Sequence, residues 1–131
     1  MPHAEHATPA ALIVEDEASV RQLASTLLEE SDLHVIECES AEAALAVLQR
    51  RGETIALCFI DVRLPGLIDG VDLAQLIATY WPHVTVIVTS GDPGERLESL
   101  PKSAVYMQKP WRALDVLIAA EKVLSRKEAA A

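Results

Sequence analysis

Positive charge is scarce in this chain. Eleven Lys and Arg stand against twenty Asp and Glu, a net charge of −9 at pH 7. That balance argues against direct nucleic-acid binding through a basic surface and disfavours anionic membranes. Long apolar runs are missing as well: 50% of the residues are hydrophobic, yet the longest runs have strand length, too short to span a bilayer. The opening stretch, Met1-Pro2-His3-Ala4-Glu5-His6-Ala7-Thr8-Pro9, lacks the charged and apolar regions of a signal peptide, so a cytoplasmic location is expected. Only two cysteines occur, Cys38 and Cys58, with no Cys-x-x-Cys spacing. Free buried thiols are therefore expected, and neither a disulfide nor a zinc site. Of the histidines, His3 and His6 fall in an N-terminal tail, residues 1–9, expected to be disordered, and His34 and His83 are isolated.

What is present is a set of apolar runs that each end in a polar group. Ile55-Ala56-Leu57-Cys58-Phe59-Ile60 is followed by Asp61. Six consecutive apolar residues, rich in β-branched types, read as a strand buried on both faces of a sheet. Ala11-Leu12-Ile13-Val14 ends in Glu15-Asp16-Glu17, and Val84-Thr85-Val86-Ile87-Val88 ends in Thr89-Ser90-Gly91. A weaker run, Ala104-Val105-Tyr106-Met107, leads into Lys109-Pro110. If these strands are parallel, acids, a hydroxyl and a lysine share one rim, where ligands bind in open α/β sheets.

Helical spacing fills the intervals. Val20, Leu23, Ala24, Leu27 and Leu28 form one stripe, and Ser40 caps a second helix carrying Ala44, Leu45 and Leu48 that stops at Arg50-Arg51-Gly52. Leu73, Leu76, Ile77 and Tyr80 mark a third, ended by Pro82, and the last runs over residues 111–126 with Leu114, Leu117, Ile118 and Leu124 on one side. The fourth is weak: Gly91-Asp92-Pro93-Gly94 delays it and only Leu97 and Leu100 suggest an apolar face, so a short or mobile helix of a turn or two is expected. Five strands alternating with helices make an α/β, doubly wound, five-stranded parallel sheet. The first, third and fourth strands are the most continuously apolar and belong in the centre; the second, Leu33-His34-Val35-Ile36, and the fifth belong at the edges. The order is then 2-1-3-4-5, with Asp16 and Asp61 flanking the crevice at the topological switch. One domain spans residues 10–127, with a tail at 128–131.

Carboxylates gathered at Glu15, Asp16 and Asp61 repel one another and call for a cation. All-oxygen ligands suit magnesium, with manganese as a substitute. One carboxylate can then act as nucleophile on a phosphoryl group, with Lys109 and Thr89 supplying charge and a hydrogen bond to its oxygens.

At this point the sequence resembles the receiver domains of two-component response regulators, in particular stand-alone alphaproteobacterial ones. The matching pieces are Leu12-Ile13-Val14-Glu15-Asp16-Glu17, Ile60-Asp61-Val62-Arg63-Leu64-Pro65-Gly66, Val88-Thr89-Ser90 and Lys109-Pro110. The resemblance implies a flavodoxin-like receiver fold and a phosphoacceptor at Asp61. It implies magnesium held by Asp16, Asp61 and the backbone carbonyl of Arg63, with Glu15 acting through a water. It further implies Thr89 as switch hydroxyl, Tyr106 as the aromatic that turns inward with it, Lys109 as the phosphate-pairing lysine and a cis Lys109–Pro110 peptide. The implied function is that of a single-domain response regulator. It would be phosphorylated by a histidine kinase or a phosphotransfer protein and would signal to a downstream protein target as a monomer or weak homodimer. It would not be an enzyme beyond assisting its own phosphorylation and dephosphorylation. The chain departs from the family in a loop, Leu64-Pro65-Gly66-Leu67-Ile68-Asp69-Gly70, one residue longer than usual, in Glu15 for a commoner aspartate, and in Val105 for a usual glycine. Three other readings fit less well. A haloacid-dehalogenase-type phosphatase needs its nucleophile on the first strand with an acid two residues on, where Arg63 stands here. A flavodoxin-type carrier needs a Ser/Thr/Gly loop where this chain has acids. A degenerate receiver that no longer takes phosphate is opposed by the complete set of acids, Thr89 and Lys109.

Overall fold

The apolar runs become strands because a parallel sheet covered on both faces gives every side chain of its central strands an apolar neighbour. The computed structural model describes residues 8–92 and 96–130, for 127–130 the backbone alone. In chain order the elements are β1 (Ala10–Val14), α1 (Ala18–Glu29), β2 (His34–Cys38), α2 (Ala41–Arg51), β3 (Ile55–Asp61), α3 (Gly70–Tyr80), β4 (Thr85–Ser90), β5 (Val105–Gln108) and α4 (Ala113–Ala130). All four strand pairings are parallel and the order is β2-β1-β3-β4-β5, as the run compositions predict. Every residue of β1 and β3 is buried, whereas β2 and β5 carry exposed positions.

One face of the sheet presents Leu12, Cys58, Ile60 and Val88 to α2 and α3, which contribute Ala44, Leu48, Leu73 and Ile77. The other presents Ile13, Leu57, Phe59 and Ile87 to α1 and α4 through Ala24, Leu28, Val116, Ala120 and Val123. Cys38 and Cys58 are buried free thiols on strands separated by β1, and burial raises both thiols above their ordinary value.

Several local expectations need correction. The core stripe of α4 is Val116, Ala120 and Val123, while Leu114 and Ile118 are 62% and 42% exposed. Leu117 and Leu124 of the expected stripe do pack against that core, so the buried face is rotated toward Val116, Ala120 and Val123 rather than exchanged for them. Leu23 and Tyr80 are likewise exposed although their spacing placed them on core stripes. The backbone of α4 is helical as far as Ala130. Gly52 does not take the left-handed geometry of a helix-ending glycine; it continues into a 3-10 turn, Gly52–Thr54. A Cβ there would stand 2.5 Å from Nε1 of the Trp81 indole, so glycine serves to seat that ring. The weak fourth helix is a single 3-10 turn, Leu97–Ser99. Residues 93–95, which include the end of the Gly91–Gly94 segment, and most of the N-terminal tail, at residues 1–7 with His3 and His6, lie outside the described residues.

Candidate functional site

The register brings the rim together. Val14 lies opposite Ile60, Asp61 opposite Thr89, and Ser90 opposite Gln108, so Glu15, Asp61, Thr89 and Lys109 fall at successive strand ends. Ladder hydrogen bonds continue just past the strands: Glu15 N–H donates to Cys38 O at 3.0 Å, Val62 N–H to Thr89 O at 2.9 Å, and Lys109 N–H to Ser90 O at 2.9 Å. The Lys109–Pro110 peptide is cis. Gly70, the first residue of α3, presses onto the Asp61 carbonyl where any Cβ would collide, and its N–H donates to Val62 O at 2.9 Å. The strand end that carries Asp61 is thereby fixed from both sides.

Glu15 and Asp61 are buried, and Asp16 is exposed at the mouth. One carboxylate oxygen from each of the three lies within 4.8 Å of the others. Lys109 Nζ bridges the buried pair, 3.0 Å from Glu15 Oε1 and 3.2 Å from Asp61 Oδ2. The second oxygen of Glu15 accepts from Glu17 N–H at 3.0 Å, and Asp61 Oδ1 accepts from Arg63 N–H at 3.3 Å. Burial raises the Glu15 carboxyl above its usual range despite the opposing hydrogen bonds from Glu17 and Lys109. Burial alone would lower the Lys109 ammonium, but its hydrogen bond to Glu15 and the charges of Asp61 and Glu15 outweigh that and hold it high. One ammonium among three carboxylates leaves a negative excess. Hard, all-oxygen donors of this kind fit a magnesium or manganese ion.

Thr89 adds a second incompleteness. Its side chain is buried and, among the described residues, its hydroxyl has no hydrogen-bond partner. Native proteins rarely leave such groups unpaired without a use for them. Tyr106, half-buried on β5, donates from its hydroxyl to Ser90 O at 3.3 Å, tying the edge strand to the residue after Thr89. Trp111 stacks edge-on against Phe59, ring centres 5.5 Å apart, beside Lys109 and Pro110.

Three groups around the site carry no sequence motif of their own. Arg21 donates to Glu15 O, Glu42 accepts from Leu67 N–H at 2.8 Å and Ile68 N–H at 3.3 Å, and Arg96 pairs with Asp69 at 2.8 Å and Asp72 at 3.1 Å. Glu42 and Arg96 thus pin the 64–70 loop from two sides. Only the last had a readable hint: Asp69 and Asp72 have the spacing of a capping box, which they form at the start of α3.

The fold and rim define an α/β protein with an acid–lysine site at the switch point of its sheet. The family model for the response regulator receiver domain matches residues 11–120. The chain belongs to that family. It is 36% identical over 109 residues to the response regulator protein FleR of Pseudomonas aeruginosa, covering 81% of this chain and 22% of FleR. It is 31% identical over 120 residues to the alginate biosynthesis transcriptional regulatory protein AlgB of the same species, covering 89% of this chain and 26% of AlgB. The chain thus spans about a quarter or less of these curated relatives. A solved receiver domain from Clostridium thermocellum superposes with a TM-score of 0.81 at 26% identity, covering 94% of this chain and 99% of that one. The receiver domain of NtrX from Brucella abortus does so at 0.76 and 27%, covering 88% and 98%. No helix among the described residues is long and apolar enough to cross a membrane.

Proposed function

We propose that this receiver domain accepts a phosphoryl group on Asp61 from a histidine kinase or a histidine-containing phosphotransfer protein. The observation that carries the reading is the Lys109 ammonium bridging Glu15 and Asp61, with the unpaired Thr89 hydroxyl opposite Asp61 in the sheet. An oxygen of Asp61 attacks phosphorus; the P–N bond of the phosphohistidine breaks, and its electron pair stays on the imidazole nitrogen, which takes up a proton from solvent. Lys109 pairs with the transferred phosphoryl oxygens, and Thr89 turns its hydroxyl onto one of them, gaining the partner it lacks at rest. Magnesium, or manganese in its place, is suited to Asp16, Asp61 and the Arg63 carbonyl, with Glu15 beside them, and would neutralise negative charge on the phosphoryl oxygens. The chain acts as a phosphoacceptor that assists its own phosphorylation and hydrolysis, in the cytoplasm, and signals by protein contact. Supporting that output mode are the Tyr106 tether and the single 3-10 turn between β4 and β5, an easily remodelled face.

Incubation with magnesium and acetyl phosphate, read by intact mass, tests the reading. Wild type should gain one phosphate, chelator should abolish the gain, and Asp61→Asn should show none. Undiminished labelling of Asp61→Asn refutes the assignment.

A further inference from the structure

Arg21, near the start of α1, keeps only 15% of its side chain exposed. Its Nη1 donates to the backbone carbonyl of Glu15 at 2.9 Å and its Nε to Glu37 Oε1 on β2 at 3.0 Å. Its own backbone N–H donates to Glu17 O at 3.0 Å. One guanidinium therefore ties α1, the acidic turn after β1 and the edge strand together.

The carbonyl it grips belongs to the peptide plane between Glu15 and Asp16, and that plane sets the direction in which Asp16 leaves the chain. The Glu15 side chain has its own restraints in Glu17 N–H and Lys109. Asp16 is exposed and yet stands within 4.8 Å of two like charges. Repulsion favours swinging it away, and a flexible turn would allow that. We infer that Arg21 is a positioning residue for the divalent-ion site, holding the Glu15–Asp16 peptide so that Asp16 faces Asp61. The inference rests on the magnesium reading above.

The direction of the effect separates this role from simple charge. Arg21 is a cation near three acids, so removing it should tighten Mg2+ binding if only its charge mattered. Losing a positioning contact should weaken binding, and outer partners of metal ligands are commonly worth tenfold or more. Calorimetric titration of the full chain with MgCl2 reads the difference. Arg21→Gln should raise the Mg2+ Kd by about tenfold. Arg21→Lys, which keeps the charge but cannot span both acceptors, should also raise it and serves as the test if the glutamine variant does not fold. Unchanged or tighter Mg2+ binding in the folded variant overturns the inference, including the case where only the metal-free Tm falls. Absence of Mg2+ binding by wild type instead removes the magnesium reading on which it stands.

Discussion

Replacing Thr89 with valine should make the resting protein more stable and leave it unable to respond to phosphate. The Thr89 hydroxyl is buried and unpartnered among the described residues, at the C-terminal end of β4. A buried polar group without a hydrogen bond costs about 1–3 kcal/mol. Valine has nearly the same shape, puts a methyl where the hydroxyl was, and is favoured in strands. The backbone bond from Val62 N–H to residue 89 O is untouched by the change. A gain of about 1–2 kcal/mol is expected, worth roughly 3–8 °C in Tm for a domain of this size. Chemical denaturation in chelator should show a higher midpoint with an unchanged slope. Thr89→Ser, which keeps the hydroxyl and loses a methyl, should be less stable than wild type by about 1 kcal/mol and still respond. With beryllofluoride and magnesium, wild type and Thr89→Ser should change their tryptophan emission, and Thr89→Val should not. A Tm equal to or below wild type in Thr89→Val would show that the hydroxyl is already satisfied at rest, and the idea of a donor held in reserve for phosphate would fail.

Magnesium should raise the Tm of wild type and hardly that of Asp16→Ala, because relief of repulsion among Glu15, Asp16 and Asp61 exists only in the folded state. In chelator Asp16→Ala should be no less stable than wild type; a large loss would make Asp16 a structural cap. Glu15 tests the pH dependence. Its folded-state pKa lies above the unfolded value because burial opposes its charge, so the folded state binds more protons and stability falls as pH rises from the ordinary glutamate range through the folded value. The Tm advantage of Glu15→Gln over wild type, measured in chelator, should therefore be larger at pH 7 than at pH 4, and an advantage that shrinks with rising pH contradicts this. The fluorescence change on adding beryllofluoride and magnesium should come mainly from Trp111, which touches Phe59 and adjoins Lys109. Trp81 packs on Gly52, ahead of the N-terminal end of β3 and away from the acids. Trp111→Phe should remove most of the change and Trp81→Phe should preserve it; the reverse moves the responding surface to α3.

The strands, their order and the rim residues were legible because their causes are local. A central parallel strand buries both faces, so it appears as an unbroken apolar run. Its end is marked by the first polar residue, which is why Glu15, Asp61, Thr89 and Lys109 are legible as neighbours in the sequence. Ser40 as a cap and the feebleness of the segment before Pro101 were equally local. The α4 stripe was legible only in part: Leu117 and Leu124 pack against the core, whereas Leu114 and Ile118, which satisfy helical spacing as well as Val116, Ala120 and Val123 do, face outward. Only the rotation of the helix on the sheet chooses between them.

Tertiary structure alone decided the contacts that cross the chain. Arg21 on the Glu15 carbonyl, Glu42 on the 64–70 loop, Arg96 on Asp69 and Asp72, and Trp81 on Gly52 join residues with no shared motif. Their partners are set by how helices and loops land once both faces of the sheet are covered. The same is true of Thr89. Its residue type and place announced a hydroxyl near Asp61, but that the hydroxyl has no partner among the described residues follows from what packs around it. Sequence determines the chemistry at each strand end because the hydrophobic pattern fixes where a strand stops. Packing decides which of those groups are restrained and which are left incomplete, because that depends on atoms brought from elsewhere in the chain.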